Sequence, residues 1–344
     1  MINQSQKLNP KLFDADCEQV PIRKGFGEGL LLAGERDENV VGLCADLTES
    51  TQMHLFANKF PERFVQVGVA EQNLVTVASG MAAMGKIPFT SSYAMFSPGR
   101  NWEQIRTTIT YNDRPVKIVG SHAGISVGPD GGTHQAIEDI ALMRVLPNMV
   151  VVAPCDSIEA KKATLALAQN GKPSYIRLAR EKTPVLTTEE SPFEIGKANI
   201  LWSSTLVAVG PLQGSGPTAT SRSVAIIACG SLVHNALLAA KKLEEEGIGA
   251  IVVNNHTIKP LDGAMVLEVA KKCGAVVTVE EHQIAGGMGS AVAEFLAQNY
   301  PVPIEFVGIE DRYGQSGSPT ELVEYYGMGV GGIIKKVKKV LARK

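Results

Sequence analysis

The sequence has few cysteines and little net charge, and each shortage excludes a class of protein. Its five cysteines stand far apart, without the spacing of metal ligands, and one is left over if the others pair. We therefore expect reduced, mostly buried thiols, and neither a disulfide framework nor a zinc site. The formal net charge of -2 argues against a nucleic-acid partner and against an anionic membrane surface.

Long apolar runs are also missing. No segment reaches the continuous apolar length of a membrane span, and the first residues, MINQSQKLNPKLFDAD, contain no apolar signal core. We therefore expect a soluble protein of the cytoplasm. The 344 residues are enough for about two domains whose cores need no covalent staples.

What the sequence does contain is an alternation of short β-rich runs and helical runs, which begins at residue 21. This pattern predicts an α/β fold with two open, mostly parallel sheets and flanking helices. In the first half, the predicted strands are 40–44, 65–69, 116–120, 149–153 and 174–178, and the predicted helices are 23–36, 71–84, 102–112, 134–145 and 157–169.

Composition divides the chain into four parts. Residues 1–20 are an N-terminal extension, and 21–200 form the first domain. Residues 201–223 are rich in Ser, Thr, Gly and Pro and form a linker or an inserted loop, while 224–344 form a smaller second α/β domain. Near the C terminus, residues 333–341 place apolar side chains on one narrow helical face, which indicates docking on the protein and not on a membrane.

Several polar side chains directly follow predicted strands, where the ligands of open α/β sheets gather. They are Asp46, Glu71, His122 and Arg180. Glu71 stands where an apolar strand turns into a helix. On that stretch alone, the better interpretation is a first-turn acid that complements the helix dipole.

The densest polar cluster is the glycine-rich segment 121–141, which contains His122, Asp130 and His134. A loop between a strand and a helix can aim such side chains into one crevice, where imidazoles bind hydroxyl groups or shuttle protons. Taken singly, a histidine such as His122 or His134 is more often a surface or capping residue than a catalytic one. Metal binding is favoured less still, because no pair has the spacing of metal ligands.

Two residue pairs are open to both a structural and a functional interpretation. Tyr93 and Phe96 are either core aromatics or a platform for a heteroaromatic ring. Arg23 and Arg180 are solvated surface arginines unless a partner is present.

The glycines of AGGMGS, at 285–290, open a predicted helix after a strand and superficially suggest a dinucleotide fingerprint. The signal is weak because the third glycine of the G-x-G-x-x-G fingerprint is missing. In addition, Glu280 and Glu281 end the preceding strand and would repel a pyrophosphate.

From about residue 23 onwards, the sequence resembles the C-terminal half of a transketolase, which is a pyrimidine-binding domain followed by the transketolase C-terminal domain. The resemblance implies the fold of those two domains and a reaction in which thiamine diphosphate moves a two-carbon ketol unit from a ketose phosphate to an aldose phosphate. It is carried by ADLTES (45–50), RFVQVGVAEQN (63–73), SYAMF (92–96), SHAGISVGPDGGTHQAIE (121–138), YIRLAR (175–180) and DRYGQSG (311–317).

The resemblance implies roles on the cofactor side. Glu71 matches the glutamate that hydrogen-bonds N1′ of the aminopyrimidine and thereby promotes deprotonation of the thiazolium C2. Tyr93 and Phe96 match the residues that pack against the pyrimidine, with Tyr93 in place of the more usual phenylalanine. Asp46 matches an acidic residue near the thiazolium.

Roles on the sugar side follow in the same way. Asp130 and His134 match the residues that read the hydroxyl groups next to the reacting carbon. The residues that match the family's phosphate site are Arg23, Ser50, His122 and Arg180. The catalytic residues implied are Glu71, His122 and His134.

The chain departs from the family in lacking the N-terminal domain whose GDG motif and downstream asparagine hold the diphosphate through a divalent metal. We therefore expect the second subunit of a split transketolase that binds no metal itself. A separate N-terminal subunit would hold the diphosphate through Mg²⁺ or Ca²⁺, so that each thiamine diphosphate lies at a subunit interface. Self-association across the dimer interface, in a two-plus-two assembly, is the expected arrangement.

Three alternatives stay open at this point. The first is the β subunit of a 2-oxo acid dehydrogenase, which also supplies a glutamate to the pyrimidine, although Arg180 and His122 would be wasted on a small oxo acid. The second is a deoxyxylulose phosphate synthase-like enzyme, which normally carries both halves in one chain. The third is a non-catalytic, transketolase-like binding protein.

Overall fold

The computed structural model describes residues 1–207 and 222–344. Its strands are β1 (Gln19–Pro21), β2 (Val40–Cys44), β3 (Phe64–Gln66), β4 (Ile87–Tyr93), β5 (Lys117–Ser121), β6 (Val150–Val152), β7 (Ser174–Leu178), β8 (Lys182–Pro184), β9 (Asn199–Ser203), β10 (Ser223–Ala228), β11 (Gly249–Asn254), β12 (Thr257–Lys259), β13 (Val276–Gln283) and β14 (Ile304–Ile309). Its α-helices are α1 (Ile22–Arg36), α2 (His54–Lys59), α3 (Glu71–Ala83), α4 (Trp102–Gln104), α5 (Asp139–Arg144), α6 (Ser157–Gln169), α7 (Val233–Glu245), α8 (Gly263–Cys273), α9 (Met288–Asn299), α10 (Pro319–Tyr325) and α11 (Val330–Leu341).

The larger sheet has seven strands in the order β12-β6-β7-β5-β4-β2-β3. Its neighbouring strands are parallel, except that the edge strand β12 runs antiparallel to β6. Successive residues of one strand enter different apolar clusters, as Ile118 and Val119 of β5 do. Both faces of this sheet are therefore buried, which explains why its strands read as short continuous apolar runs.

The smaller sheet has five strands in the order β14-β13-β10-β11-β9, and only the β9–β11 pair of this sheet is antiparallel. The expectation of two open, mostly parallel sheets with flanking helices is thus confirmed. The C-terminal helix α11 docks through Ile333, Val337 and Val340, which are buried. All five cysteines are buried and free.

Two chain segments cross the predicted domain limits. Residues 201–203 were expected in the linker, but they end β9, which pairs with β11 of the smaller sheet. In the other direction, β12 leaves the second half of the chain and joins β6 of the larger sheet. Residues 208–221 of the predicted linker lie outside the described residues. The other limits of the domains stay a prediction.

In the first half, one predicted helix begins too early and one strand of the larger sheet was missed. The predicted helix 134–145 begins only at Asp139, because Ala136 instead forms a bridge with Ala123. Strand β4 was not predicted at all. It contains Pro88 and three buried hydroxyl residues, and this composition is unusual in the middle of a sheet.

Candidate active site

The carboxyl ends of the parallel strands β2, β3, β4, β5 and β7 meet at one edge of the larger sheet. The segments that follow these strands carry most of the candidate residues, so the topology alone brings them to one region. Arg23 comes from the first turn of α1 instead. The contacts described below show which of these side chains meet.

Glu71 is the first residue of α3, and only 4% of it is exposed. Nη1 of Arg100 lies 3.4 and 3.3 Å from the two carboxylate oxygens of Glu71. The amide of Asn101 donates to the backbone carbonyl of Glu71 at 2.8 Å, which fixes the start of the helix. The carboxylate is therefore held in place, with a charged partner that is itself about half exposed, at 52%.

The guanidinium of Arg100 also lies over the ring of Phe96, 4.2 Å from its centroid. A planar group with N–H donors thus rests on an aromatic ring and meets a buried carboxylate at the same time. An aminopyrimidine protonated at N1′ needs this same pair of partners, so Glu71 and Phe96 fit the cofactor that the sequence implies. Arg100 was not among the sequence candidates. The only signal for it was its place four residues after Phe96.

A row of rings leads from Phe96 to the other candidates. The ring of Tyr93 is stacked 6.0 Å from that of Phe96 and 4.0 Å from the imidazole of His122. On the other side, His134 meets Phe96 edge-on at 5.5 Å. The four aromatic candidates therefore form one contact network.

His122 is 1% exposed and accepts a hydrogen bond from Arg23, whose Nη1 lies 2.9 Å from Nε2. Because a guanidinium has only donors, Nε2 must be the acceptor, so the proton of the neutral ring is on Nδ1. Nδ1 then donates to Ser121 Oγ at 2.7 Å. Burial, and then the charges of Arg23 and Arg180, lower the pKa of His122 to about 3. His122 is thus a neutral acceptor that orients Arg23.

Arg23 and Arg180 lie close enough for their positive charges to interact. Burial and the neighbouring Arg180 lower the pKa of Arg23. Nη1 of Arg23 also donates to the backbone carbonyl of Ser50 at 2.7 Å, but its buried Nε has no partner among the described residues. Arg180 donates to Val127 O at 2.7 Å and lies 3.8 Å from Asp130. Two arginines beside a neutral histidine favour an anion such as a phosphate.

Asp46 and Ser50 are less closely connected to this network. Asp46 is exposed at the same edge of the sheet, and its backbone N–H donates to Gln66 Oε1. In the described part of the chain, its carboxylate makes no hydrogen bond or ion pair with the other candidates. Ser50 reaches the network through its backbone carbonyl, which accepts from Arg23.

The glycine-rich start of α9 is already occupied by a side chain. The carboxylate of Glu280 accepts from the backbone N–H groups of Met288 and Gly289, at 2.6 and 2.8 Å. A phosphate cannot use the same donors, so a dinucleotide site at this helix is excluded. Within residues 1–207 and 222–344, no cluster of three or more His, Cys, Asp and Glu side chains could hold a metal ion, and no helix is long and apolar enough to span a bilayer.

Comparison with known families agrees with this geometry. Residues 18–185 match the model of the transketolase pyrimidine-binding domain, and residues 218–333 match that of the transketolase C-terminal domain. The chain belongs to the transketolase family. Its first half is thus of the pyrimidine-binding type, and the network around Glu71 and Phe96 lies within it.

Individual relatives match over nearly their whole length. A putative transketolase C-terminal section from Methanocaldococcus jannaschii is 43% identical, over 94% of this chain and 96% of the relative. A 6-deoxy-6-sulfo-D-fructose transketolase subunit from a Clostridium species is 39% identical, over 96% and 98%. Among solved structures, a split-gene transketolase described as an inactive β4 tetramer superposes with a TM-score of 0.83 at 41% identity, over 94% of this chain and 99% of that one.

Proposed function

We propose that this chain is the C-terminal subunit of a split, thiamine diphosphate-dependent transketolase. It would transfer a two-carbon ketol unit from a ketose phosphate to an aldose phosphate. One observation carries the proposal: the buried carboxylate of Glu71 and the ring of Phe96 share one charged partner, and a row of rings leads from Phe96 to Arg23, whose charge interacts with that of Arg180. This order of groups suits a ligand with a planar ring at one end of the row and a ligand with a phosphate at the other.

The cofactor side is served by three residues. Phe96 and Tyr93 would hold the aminopyrimidine by stacking, and Glu71 would hold a proton at N1′ of that ring. Thiamine diphosphate held by these residues would supply the nucleophilic carbon chemistry that the transfer needs. Arg100 would have to leave the Phe96 ring, because the guanidinium and the pyrimidine need the same carboxylate and the same ring face.

The sugar side would bind through charge at one end and hydroxyl groups at the other. Arg23 and Arg180 would bind the phosphate, and this remote contact would orient the reacting carbon. Asp130 and His134 would contact the hydroxyl groups beside that carbon. The arginine pair also favours this assignment over a 2-oxo acid dehydrogenase subunit, whose small substrates have no phosphate to neutralise two cations.

The partner would be an N-terminal transketolase subunit that holds the diphosphate through Mg²⁺ or Ca²⁺. Relatives that match over nearly their full length as transketolase sections or subunits support this division. The description of the split-gene relative as an inactive β4 tetramer supports both self-association and inactivity without a partner. We propose a two-plus-two assembly in the cytoplasm, with a site at each subunit interface.

Calorimetry with thiamine diphosphate and Mg²⁺ tests this division of the site. We expect no binding by the chain alone and binding once a GDG-bearing N-terminal subunit is added. Tight binding by the isolated chain would contradict the division. Absence of binding in the mixture would favour a non-catalytic protein.

The same reconstituted pair tests the role of Glu71. We expect Glu71→Ala to abolish turnover, because Glu71 is the buried carboxylate that meets the group resting on the Phe96 ring, while assembly stays intact by analytical ultracentrifugation. Glu103→Ala is the matched control, since this nearby glutamate is exposed. Activity that survives Glu71→Ala would remove the proton-holding role.

A further inference from the structure

The loop from Gly124 to Gln135, which we term the sugar loop, carries Asp130 and His134 and rests on the C-terminal domain. Arg180 is tied to it as well, through Val127 O and Asp130. Any shift of this loop would therefore move three of the proposed sugar contacts together.

Gln135 is 1% exposed and joins the loop to the C-terminal domain. Its Nε2 lies 3.1 Å from Ile125 O and 3.3 Å from Gly128 O, which are two turns of the loop, and 2.9 Å from Gln315 O. One buried amide thus holds the two turns against each other and against a segment about 180 residues away in sequence. Three acceptors around one amide leave it little freedom to move.

The two backbones also approach more closely than side chains would allow. A Cβ at Gly132 would lie 2.8 Å from the carbonyl oxygen of Gly314, and a Cβ at Gly131 would lie 2.7 Å from Ser316 Oγ. The contact with the backbone of Gly314 therefore requires glycine at Gly132, and the φ of +76° favours glycine at Gly131.

The start of the loop has a second anchor in the C-terminal domain. The carboxylate of Glu281 accepts from the backbone N–H of Ser126 at 2.6 Å and from Ser231 Oγ at 2.9 Å. Gly124 has φ of +87°, and a Cβ there would lie 2.3 Å from that carboxylate. Both ends of the sugar loop are thus positioned by residues of β13 and of the segment after β14.

We propose that the C-terminal domain acts as a brace for the sugar loop, and that Gln135 is the positioning residue through which it acts. The C-terminal domain would then contribute to sugar binding without touching the sugar. This inference rests on the proposed function, because it assigns the sugar phosphate to the residues that the loop carries.

The test uses Gln135→Met in the enzyme reconstituted with its N-terminal subunit. Methionine keeps the volume but has no donor, so the loop loses its link to Gln315 O. We expect KM for the ketose phosphate to rise about tenfold, since a 1 Å misplacement can cost about a hundredfold and the loop keeps its other anchor at Glu281. Thiamine diphosphate affinity should change much less than KM, because the loop touches the cofactor side only where the edge of His134 meets Phe96 and does not contact Glu71 in the described residues.

Lys259→Met is the matched control. Lys259 also reaches from the C-terminal half to the first domain, where it donates to Arg144 O and Leu146 O, but it does not touch the sugar loop. We expect its KM to equal that of the wild type. Gly314→Ala perturbs the brace from the other side, because the new Cβ would lie 1.8 Å from Gln135 Oε1. We expect it to raise KM as Gln135→Met does.

Hydrogen exchange of the free chain separates this inference from the proposed function. The amides of residues 124–135 should exchange faster in Gln135→Met than in the wild type or in Lys259→Met. Unchanged exchange would overturn the brace even if the wild-type enzyme proved inactive as a transketolase. Faster exchange with an unchanged KM would overturn the positioning role. An equal rise of KM in Lys259→Met would show that general domain contact, and not the loop, is responsible.

Discussion

The chemical role of each side chain in this candidate site depends on the groups that surround it. His122 follows a strand as a potential acid or base would, yet its Nε2 lone pair is taken by Arg23 and burial keeps it neutral. Its φ of +100° is rare for a residue other than glycine, and such a conformation persists where the surroundings hold it, often at functional sites. The imidazole therefore serves better to orient Arg23 than to transfer a proton.

Arg23→Gln should change which substrates the reconstituted enzyme prefers. A charge-assisted hydrogen bond contributes about 1.5–3 kcal/mol, so the loss of the guanidinium should lower kcat/KM for a ketose phosphate at least about tenfold. The value of kcat/KM for the same ketose without its phosphate should fall much less. Arg36→Gln, at the exposed end of the same helix, is the control and should leave both values unchanged. Equal losses for both ketoses would contradict a phosphate contact.

Residue types in the sequence supplied most of the candidate residues, but not the contacts among them. Asp46, Glu71, His122 and Arg180 could be proposed because side chains that follow parallel strands share one edge of the sheet. Arg100 could not, since it lies beyond β4, which was itself not predicted. Its contact with Glu71 depends on the path of residues 94–99, for which no periodic pattern exists.

Among the helices, the packing of α1 on α6 determines the position of Arg23. The two helices cross at glycines: a Cβ at Gly25 would lie 1.7 Å from Ser157 O, and one at Gly29 would lie 2.8 Å from Thr164 Cβ. The close approach fixes the first turn of α1, and with it the position of Arg23.

Gly25→Ala should therefore destabilise the isolated chain. The added methyl group meets backbone, which cannot move aside as a flexible side chain would, and overpacking typically costs about 1–3 kcal/mol. Gly80→Ala is the matched control, because nothing lies within 4 Å of a Cβ there. Replacing glycine by alanine inside a helix stabilises the helix by about 0.5–1 kcal/mol. Thermal unfolding should show a lower Tm for the first variant and an equal or higher Tm for the second. A neutral Gly25→Ala would mean that the two helices can separate without cost.

At the scale of the whole molecule, buried polar contacts join the two halves. Glu159 of α6 accepts from Asn254 of β11 at 2.8 Å and from Cys155 N at 2.7 Å. Burial, and then Asp156, raise the pKa of Glu159 to about 7. The folded protein therefore holds this proton more tightly than the unfolded chain, whose glutamates titrate near 4.5.

This pKa shift makes stability depend on pH. As pH rises from about 4.5 to about 7, Glu159 loses its proton in the unfolded chain before it does so in the folded protein. The free energy of unfolding therefore falls over this interval, by at most about 3 kcal/mol, and Glu159 causes no further change above about pH 7. Glu159→Gln should remove this part of the dependence. Asn254 can turn its amide to accept from the new Nε2, because its Oδ1 has no partner among the described residues.

The measurement is Tm between pH 5 and pH 7. Glu159→Gln should lose less stability over this interval than the wild type. Glu38→Gln, which changes an exposed glutamate, should behave as the wild type does. An unaltered pH dependence in Glu159→Gln would show that this carboxyl is already ionised in the folded protein at pH 5.

The α/β class can be read from the sequence alone, and so can most strands and helices, the order of the motifs and membership of the transketolase family. These properties are encoded in short stretches of sequence, because hydrophobic periodicity and turn residues are local features of a few neighbouring positions. Other features emerge only in the folded chain: β12 joins the larger sheet, Arg100 covers Phe96, and Gln135 meets Gln315. Such contacts join residues far apart in the chain through packing, so no local pattern encodes them.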